Sequence, residues 1–188
     1  EVSNGDFSNG STDWTLGSGW SIGEDKAISD GTTNNAVAST VMSSVVGKSY
    51  KIDFTIDDYV TGNIRIYFGG AFTPFVNANG VYSFYIAATA VDTLATSTSG
   101  LFNGSITNIS VKEVGMDWTL GTGWEIAENK ATFNGAGSSV MYQTSVSYII
   151  GKNYRVTFDA DVVSGVGTVR IGNTTTQTPF VNGSNELY

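Results

Sequence analysis

The sequence contains neither cysteine nor histidine, and these two absences remove whole classes of function. Without cysteine there can be no disulfide framework and no thiolate metal site, and the redox compartment is left open. Without histidine the chain lacks the commonest general base and metal ligand, together with every Ser-His or Cys-His catalytic arrangement. The sequence therefore predicts a protein that is not an enzyme.

Positive charge and long apolar runs are also scarce. The chain has 9 Lys and Arg residues against 17 Asp and Glu residues, so its net charge of −8 argues against nucleic acid as a partner. No stretch approaches the roughly 18 apolar residues that a membrane-spanning helix needs, which predicts no membrane insertion. The chain begins without an initiator methionine or a signal-peptide pattern, so we expect a processed or excised piece.

The residues that are abundant favour strands and turns. Glycine contributes 23 residues, and Thr, Ser, Asn and Val are common, whereas Leu, Lys and Arg are few. β-Branched residues favour strands, and Gly and Asn favour tight turns, while strong helix formers are rare. This composition predicts an all-β protein of many short strands.

The strongest feature of the sequence is an internal duplication. Residues 13–20 read DWTLGSGW and residues 117–124 read DWTLGTGW. Matches continue in order, with EDKA at 24–27 and ENKA at 128–131, VGKSY at 46–50 and IGKNY at 150–154, and TPFVN at 73–77 and 178–182. Ordered matches over this length indicate two tandem copies of one module.

The two copies differ at their ends. Copy two lacks counterparts of the NGDF motif at residues 4–7 and of everything from residue 83 to residue 114. The sequence predicts a complete module at 1–114 and a second, C-terminally truncated copy at 115–188. A sandwich without its last strands would expose core and sheet edges. We expect either that the chain continues beyond Tyr188, which we favour, or that another chain supplies those strands.

Alternating apolar residues predict the strands that build each module. Residues 50–57 alternate without a break, and Asn79-Gly80 is a turn signal before a further strand at 81–87. A final strand of copy one is marked by Ile106, Ile109 and Val111. With about eight or nine such strands in a copy, the pattern fits a two-sheet sandwich. The residues expected to point inward in copy one are Tyr50, Ile52, Phe54, Ile56, Ile64, Ile66 and Phe68.

These motifs resemble a known family. The order NGDF at 4–7, DW at 13–14, GW at 19–20, GK-x-Y at 47–50 and FNGSITNISVKE at 102–113 is similar to carbohydrate-binding-module-like, galactose-binding-type jelly rolls. Such modules recur in bacteriophage tail and other virion structural proteins and in secreted bacterial glycan-binding proteins. The resemblance implies tandem jelly-roll β-sandwich modules, the second incomplete. The resemblance says little about function, because the matching positions are mostly core and turn residues.

The resemblance also bears on metal binding. In this family the closing strand usually carries an aspartate just before an Asn-aliphatic pair, and that acid helps to hold a structural calcium ion. Thr107 occupies the position in this sequence, which leaves Asp6 as a lone acid. We therefore expect no cofactor, or at most a structural calcium ion bound weakly at Asp6, and favour a turn or strand-end role for this residue.

Paired carboxylates are the remaining candidates for catalytic residues, and the sequence pattern does not favour a catalytic role for them. Asp159 and Asp161 share one face of a predicted strand, with a spacing that glycoside hydrolysis could use. Copy one, however, has Thr55 where copy two has Asp159, so a solvated sheet face is the better interpretation. The tryptophans recur in fixed frames with glycine between them, which favours packing anchors over sugar-stacking platforms.

Candidate ligand-binding residues lie on the outward face. Arg65 with Asp53 and Asp57 on adjoining predicted strands could hydrogen-bond sugar hydroxyls, and Tyr67 would add a stacking surface. Copy two offers Arg170 with Asp161. The alternative, which we favour, is a set of cross-strand ion pairs worth about 0.2–1 kcal/mol.

The sequence thus predicts a non-enzymatic structural protein of a bacteriophage particle, of the tail-fibre, decoration or adhesin type, on the virion surface or otherwise extracellular. Its expected partners are other virion chains, copies of itself, and host-surface glycans. The alternative is a glycan-binding module of a secreted bacterial protein. Measuring the binding of this chain on a glycan array would be the most informative test of its ligand.

Overall fold

Strands joined by tight turns make up the computed structural model, which describes residues 2–116, 118–128, 130–135, 137–143, 146–171, 174–175 and 179–187. Within these ranges no segment is helical, so the predicted all-β class is confirmed. It follows that no described segment forms an apolar helix long enough to cross a membrane.

The chain divides into two compact units, residues 1–143 and 144–188. The predicted module boundary at residue 114 is a statement about repeats and stays a prediction. The strands described in the first unit are β1 (Trp14–Leu16), β2 (Trp20–Gly23), β3 (Lys26–Asp30), β4 (Val37–Ser43), β5 (Ser49–Phe68), β6 (Ala71–Phe72), β7 (Gly80–Ala87), β8 (Thr93–Val114), β9 (Trp118–Leu120), β10 (Trp124–Ala127), β11 (Lys130–Phe133) and β12 (Met141–Gln143). Those described in the second are β13 (Val156–Ala160), β14 (Arg170–Ile171), β15 (Thr174–Thr175) and β16 (Gly183–Leu187).

Strands β1 to β8 form one antiparallel sheet with the long strand β8 at its centre. β8 pairs with β5 on one side and with β3 and β4 on the other. β2 lies beyond β3 and β1 beyond β4, while β7 and β6 both pair with β5. The two long neighbouring strands, β5 and β8, therefore pair directly with β3, β4, β6 and β7, while β1 and β2 lie at the outer edges.

This sheet folds over on itself into a sandwich. The rings of Tyr50 and Phe68, at opposite ends of β5, lie 5.1 Å apart. A straight strand at about 3.3 Å per residue would separate them by roughly 60 Å. The fold-over occurs near Gly62, whose φ is +81° and where a Cβ would lie 2.5 Å from Cα of Phe102. Only glycine accepts this conformation and this close approach readily.

The fold-over creates two layers that enclose one core. Residues 49–56 of β5 pair with β7. Residues 67–68 pair with β6 and Ile64 with Val76, so each half of β5 belongs to a different layer. The predicted β-sandwich is thereby confirmed. The sequence predicted separate strands at 50–57 and 64–68, whereas the structure has one continuous bent strand. Periodicity alone cannot distinguish two strands from one bent strand, because the even-numbered residues point inward on both sides of the bend.

The core confirms the predicted inward rows. Every residue assigned inward in copy one is buried, and Trp14 and Trp20 are only 6% and 8% exposed. Each indole also meets a backbone acceptor at 2.9 Å: Trp14 Nε1 donates to the carbonyl of Asn4, and Trp20 Nε1 to that of Asn35. Both tryptophans of copy one are thus packing anchors.

Copy two begins with the same two strand pairs in the same register. Trp14 pairs with Ser39 in copy one and Trp118 with Gln143 in copy two. Likewise Trp20 pairs with Ser29, and Trp124 with Phe133. Turn hydrogen bonds repeat too: Trp20 N donates to Gly17 O and Trp124 N to Gly121 O, both at 3.1 Å. The duplicated sequence therefore specifies duplicated local structure.

The copies diverge beyond these two strand pairs. β3 and β4 each have a second partner in β8, whereas among the described residues β11 pairs with β10 and β12 with β9 alone. Three of the five residues of β3 are shielded from solvent, but all four of β11 are exposed. In the second unit, β13 pairs with β16, with Val156 opposite Leu187. The first copy pairs Ile52 with Phe84, so the register at this position is not conserved.

Candidate functional site

An arginine stacked on two aromatic rings lies on the outer face of copy one. The Arg65 guanidinium carbon is 3.7 Å from the ring centroid of Phe72 and 4.3 Å from that of Phe75. Arg65 points outward because its strand neighbours, such as Ile64, point into the core. Phe75 is brought alongside by a backbone bridge in which Ile64 and Val76 exchange hydrogen bonds of 3.0 and 2.8 Å. In contacts of this kind the quadrupole of the aromatic ring attracts the cation electrostatically.

Tyr67 extends this cluster along β5. Its ring lies 4.8 Å from that of Phe72, which is its cross-strand partner in β6. The Tyr67 hydroxyl donates a hydrogen bond to Oδ2 of Asp92. This bond to a carboxylate is the main cause that raises the pKa of Tyr67, and desolvation adds to it. The phenol therefore stays a neutral donor well into the alkaline range.

We call Arg65, Tyr67, Phe72, Phe75 and Ser97 the Arg65 surface. Phe72 is 47% exposed and Phe75 43% exposed, so the two neighbouring rings present apolar surface to solvent. Arg65 Nε donates a long hydrogen bond of 3.5 Å to Ser97 Oγ. Across the described ranges Arg65 has no ion pair, so its terminal amino groups are available to a ligand.

The other residues of the predicted trio are not beside Arg65. Oδ1 of Asp53 accepts from Lys51 Nζ at 2.9 Å, and Oδ2 of Asp57 lies 3.6 Å from Lys26 Nζ. These carboxylates and Arg65 do not lie on the adjoining strands that the sequence analysis expected, and a ligand-binding role for Asp53 and Asp57 stays a prediction. All three are on the bent strand β5, whose fold-over puts its two halves in different layers.

The structure adds a carboxylate that the sequence analysis did not single out. Asp58 accepts from Lys26 Nζ at 3.0 Å and from Ser105 Oγ at 2.9 Å. The bond from Lys26, followed by that from Ser105, lowers the pKa of Asp58. Asp58 has a φ of +53° at a register shift of β5. Its partners are assembled by the bend, and local periodicity gives no signal for them.

Sequence reasoning also missed Phe72 and Phe75. They lie in a two-residue strand and in a loop next to Pro74, where neither helical nor strand periodicity can be recognised. The one available signal was their spacing from Arg65: a short turn returns the chain to β5 and brings residues 72–75 level with residues 64–67.

Of the counterparts in copy two, the structure describes Asp161 and Arg170. Asp161 follows β13, and Arg170 lies in β14 opposite Thr175; both are exposed. No ion pair joins them in the part of the chain that is described. In sequence, glycine 172 stands at the Tyr67 position and glutamine 177 at the Phe72 position, and both lie outside the described residues. Arg170 thus provides a matched control for Arg65.

Asp6 serves a turn. Its Oδ1 accepts from Ser8 N at 3.2 Å and from Ser8 Oγ at 3.0 Å. These bonds, the backbone one first, lower the pKa of Asp6. The described residues contain no group of three or more acidic side chains placed to hold a metal ion. A weak calcium site at Asp6 stays a prediction.

Two backbone carbonyls converge on the hydroxyl that replaces the expected acid. Thr107 Oγ1 donates to the carbonyl of Asp25 at 2.8 Å and lies 3.5 Å from that of Asp6. Thr107 itself is only 7% exposed. Its single proton thus satisfies the carbonyl of Asp25 at a partly buried position.

Thr107→Asp is expected to make the stability of the protein depend on calcium. A carboxylate here would face two carbonyl oxygens with no proton between them, which is unfavourable until a hard cation joins all three. Calcium at a hundredfold above its dissociation constant should then restore about 2.7 kcal/mol. Thermal unfolding with and without calcium measures this, with the unmodified chain as control. Equal melting temperatures for the variant in both buffers would contradict it.

A cavity near the N-terminus of copy one has few groups that could act chemically. It measures about 270 Å³ and is lined by Val2, Gly5, Asp6, Asn108, Ile109 and Ser110. A glycosidase site needs two carboxylates at a defined separation, and Asp6 is the one carboxylate in this lining. The non-enzymatic interpretation stays a prediction.

Neither a protein-family model, nor a curated protein, nor a solved structure matches this chain significantly. The similarity to carbohydrate-binding-module-like jelly rolls therefore rests on the sequence motifs alone and stays a prediction, while the all-β sandwich is established by the fold.

Proposed function

We propose that this protein is a non-enzymatic structural protein of a bacteriophage surface, and that copy one contacts host glycans through the Arg65 surface. The observation that carries the glycan contact is the pair of half-exposed phenylalanine rings holding an arginine with no ion-pair partner among the described residues. The virion assignment is supported by the motif resemblance and by the tandem duplication.

The chemistry of the Arg65 surface suits a sugar. The C–H faces of a pyranose are apolar and stack on aromatic rings, here Phe72 and Phe75. A guanidinium offers several N–H donors in a fixed plane, and the Arg65 plane is held by its ring contacts. Tyr67 and Ser97 supply hydroxyl groups at the margin. Few well-placed polar groups beside an apolar platform are the usual composition of a small-molecule site.

The second candidate is a glycan-binding module of a secreted bacterial protein. The Arg65 surface supports it equally, because sugar stacking does not depend on where the module is displayed. Mass spectrometry of purified phage particles produced by a host that encodes the chain separates the two. Peptides of this chain in the particle support the virion assignment, and their absence from particles but presence in culture medium supports the alternative.

Substitution at Arg65 is expected to weaken glycan binding strongly. On a glycan array, Arg65→Ala should weaken the signal of the full chain by about tenfold or more, since a hydrogen bond to a charged group contributes about 1.5–3 kcal/mol. Arg170→Ala, the counterpart in copy two, should bind like the unmodified chain. Retention of full signal by Arg65→Ala, or no binding of the unmodified chain to any glycan, would contradict the proposed contact.

A further inference from the structure

We propose, on the basis of the function proposed above, that the Arg65 surface selects saccharides that carry a carboxylate, such as uronic or sialic acid residues. The geometry that points to this class is a guanidinium stacked beside two exposed rings, with no anionic partner among the residues that the structure describes.

Only some of the nine Lys and Arg side chains have a carboxylate partner in the described structure, and Arg65 is one of those that do not. Lys26, Lys48, Lys51 and Arg155 each lie within 4.0 Å of a carboxylate. Arg65 lies within that distance of none in the described part of the chain, although the protein carries a net charge of −8. A partly exposed cation that no carboxylate neutralises among the described residues is complementary to an anionic ligand.

The acid that contacts Tyr67 of the Arg65 surface, Asp92, is already hydrogen-bonded. The side chain of Asp92 accepts the Tyr67 hydroxyl at Oδ2 and the backbone N–H of Thr93 at Oδ1, the latter at 3.0 Å. These bonds hold Asp92 to Tyr67 and Thr93 and not to the guanidinium. A ligand carboxylate would therefore be the partner that Arg65 lacks.

Stacking also prepares Arg65 for a planar anion. The rings of Phe72 and Phe75 lie against the guanidinium, which leaves ligand hydrogen bonding to the N–H groups at its edge. Arginine and carboxylate form two parallel hydrogen bonds when their planes align, and fixing one partner beforehand reduces the entropy lost on binding. Lysine would lack both the plane and the paired donors.

The exposed rings argue for a saccharide over a small free carboxylate. Acetate or citrate could satisfy the guanidinium but would leave most of Phe72 and Phe75 in water. A sugar ring that bears the carboxylate can cover an aromatic face while its acid reaches Arg65. Both parts of the surface are used only by such a ligand.

The test is isothermal titration of the full chain with hexagalacturonate, sialyllactose, the methyl ester of hexagalacturonate, and a phosphate-bearing glycerol-phosphate oligomer. We expect at least one carboxylated sugar to bind, and its neutral ester or uncharged parent to bind at least about tenfold more weakly. Arg65→Lys should be intermediate, Arg65→Ala should not bind, and Arg170→Ala should be unchanged. Circular dichroism of each variant verifies folding.

The outcomes separate this inference from the proposed function. Equal binding of charged and neutral sugars, lost together in Arg65→Ala, overturns the selectivity for carboxylates and leaves the glycan contact intact. Binding of the phosphate oligomer in preference to all carboxylated sugars likewise overturns the ligand class. Binding that is insensitive to Arg65→Ala, or no binding of any saccharide in titration and on the array, removes both.

Discussion

Phe102→Ala is expected to lower the free energy of unfolding of copy one by about 3–5 kcal/mol, the usual cost of removing a buried phenylalanine ring. Phe102 is fully buried at the fold-over, with Trp20 at 6.2 Å and Tyr59 at 6.4 Å between ring centroids. The backbone at this residue also approaches Gly62. Because domains are stable by only about 5–15 kcal/mol, this single change should remove a large part of the total.

Urea denaturation followed by tryptophan fluorescence measures the loss, and Phe72→Ala is the matched control. The same atoms are removed at Phe72, but its ring is nearly half exposed, so a loss below about 1 kcal/mol is expected. Similar losses for the two variants would contradict the placement of Phe102 in the core and of Phe72 on the surface.

The second large effect is a difference in amide exchange between the two copies. β3 and β4 are each paired on both sides, whereas in the described residues β11 and β12 are paired on one. An edge amide can open without breaking a second ladder. We expect amides of β3 and β4 to exchange at least about 100-fold more slowly than those at the same repeat positions in β11 and β12.

Hydrogen–deuterium exchange with peptide-level mass spectrometry measures this ratio, and the mass of the protein in solution must be determined on the same sample. Equal protection of both copies in a strictly monomeric chain would contradict the account. Equal protection that appears only in an associated form would mean that a neighbouring chain covers the edges of β11 and β12.

Sequence reasoning succeeded where the determining interactions are local. Alternation assigned Tyr50, Ile52 and Phe54 to the core because side-chain parity along a strand is independent of the tertiary fold. The Asn79-Gly80 turn signal correctly placed the start of β7. The repeated sequence correctly implied repeated structure in the first hairpins of copy two, where each partner strand is close in the chain.

Long-range geometry could not be read in this way. The fold-over of β5 depends on Gly62 meeting the backbone of Phe102, which is 40 residues away in sequence. For the same reason the sequence did not indicate that Arg65 and Asp53 lie in the two halves of one bent strand, and the contacts of Arg65 with Phe72 and Phe75 were missed. Which outward residues share a surface depends on where a sheet bends.

The central claim, that the Arg65 surface is the ligand-binding site, is tested most directly by nuclear magnetic resonance. During titration with the saccharide that binds best, the side-chain Nε–H signal of Arg65 and the backbone amide signals of Phe72, Phe75 and Ser97 should shift and saturate together. The Nε–H signal of Arg170 should not move. Saturable shifts confined to residues outside the Arg65 surface, such as Lys51 and Asp53, with Arg65 unchanged, would contradict the claim.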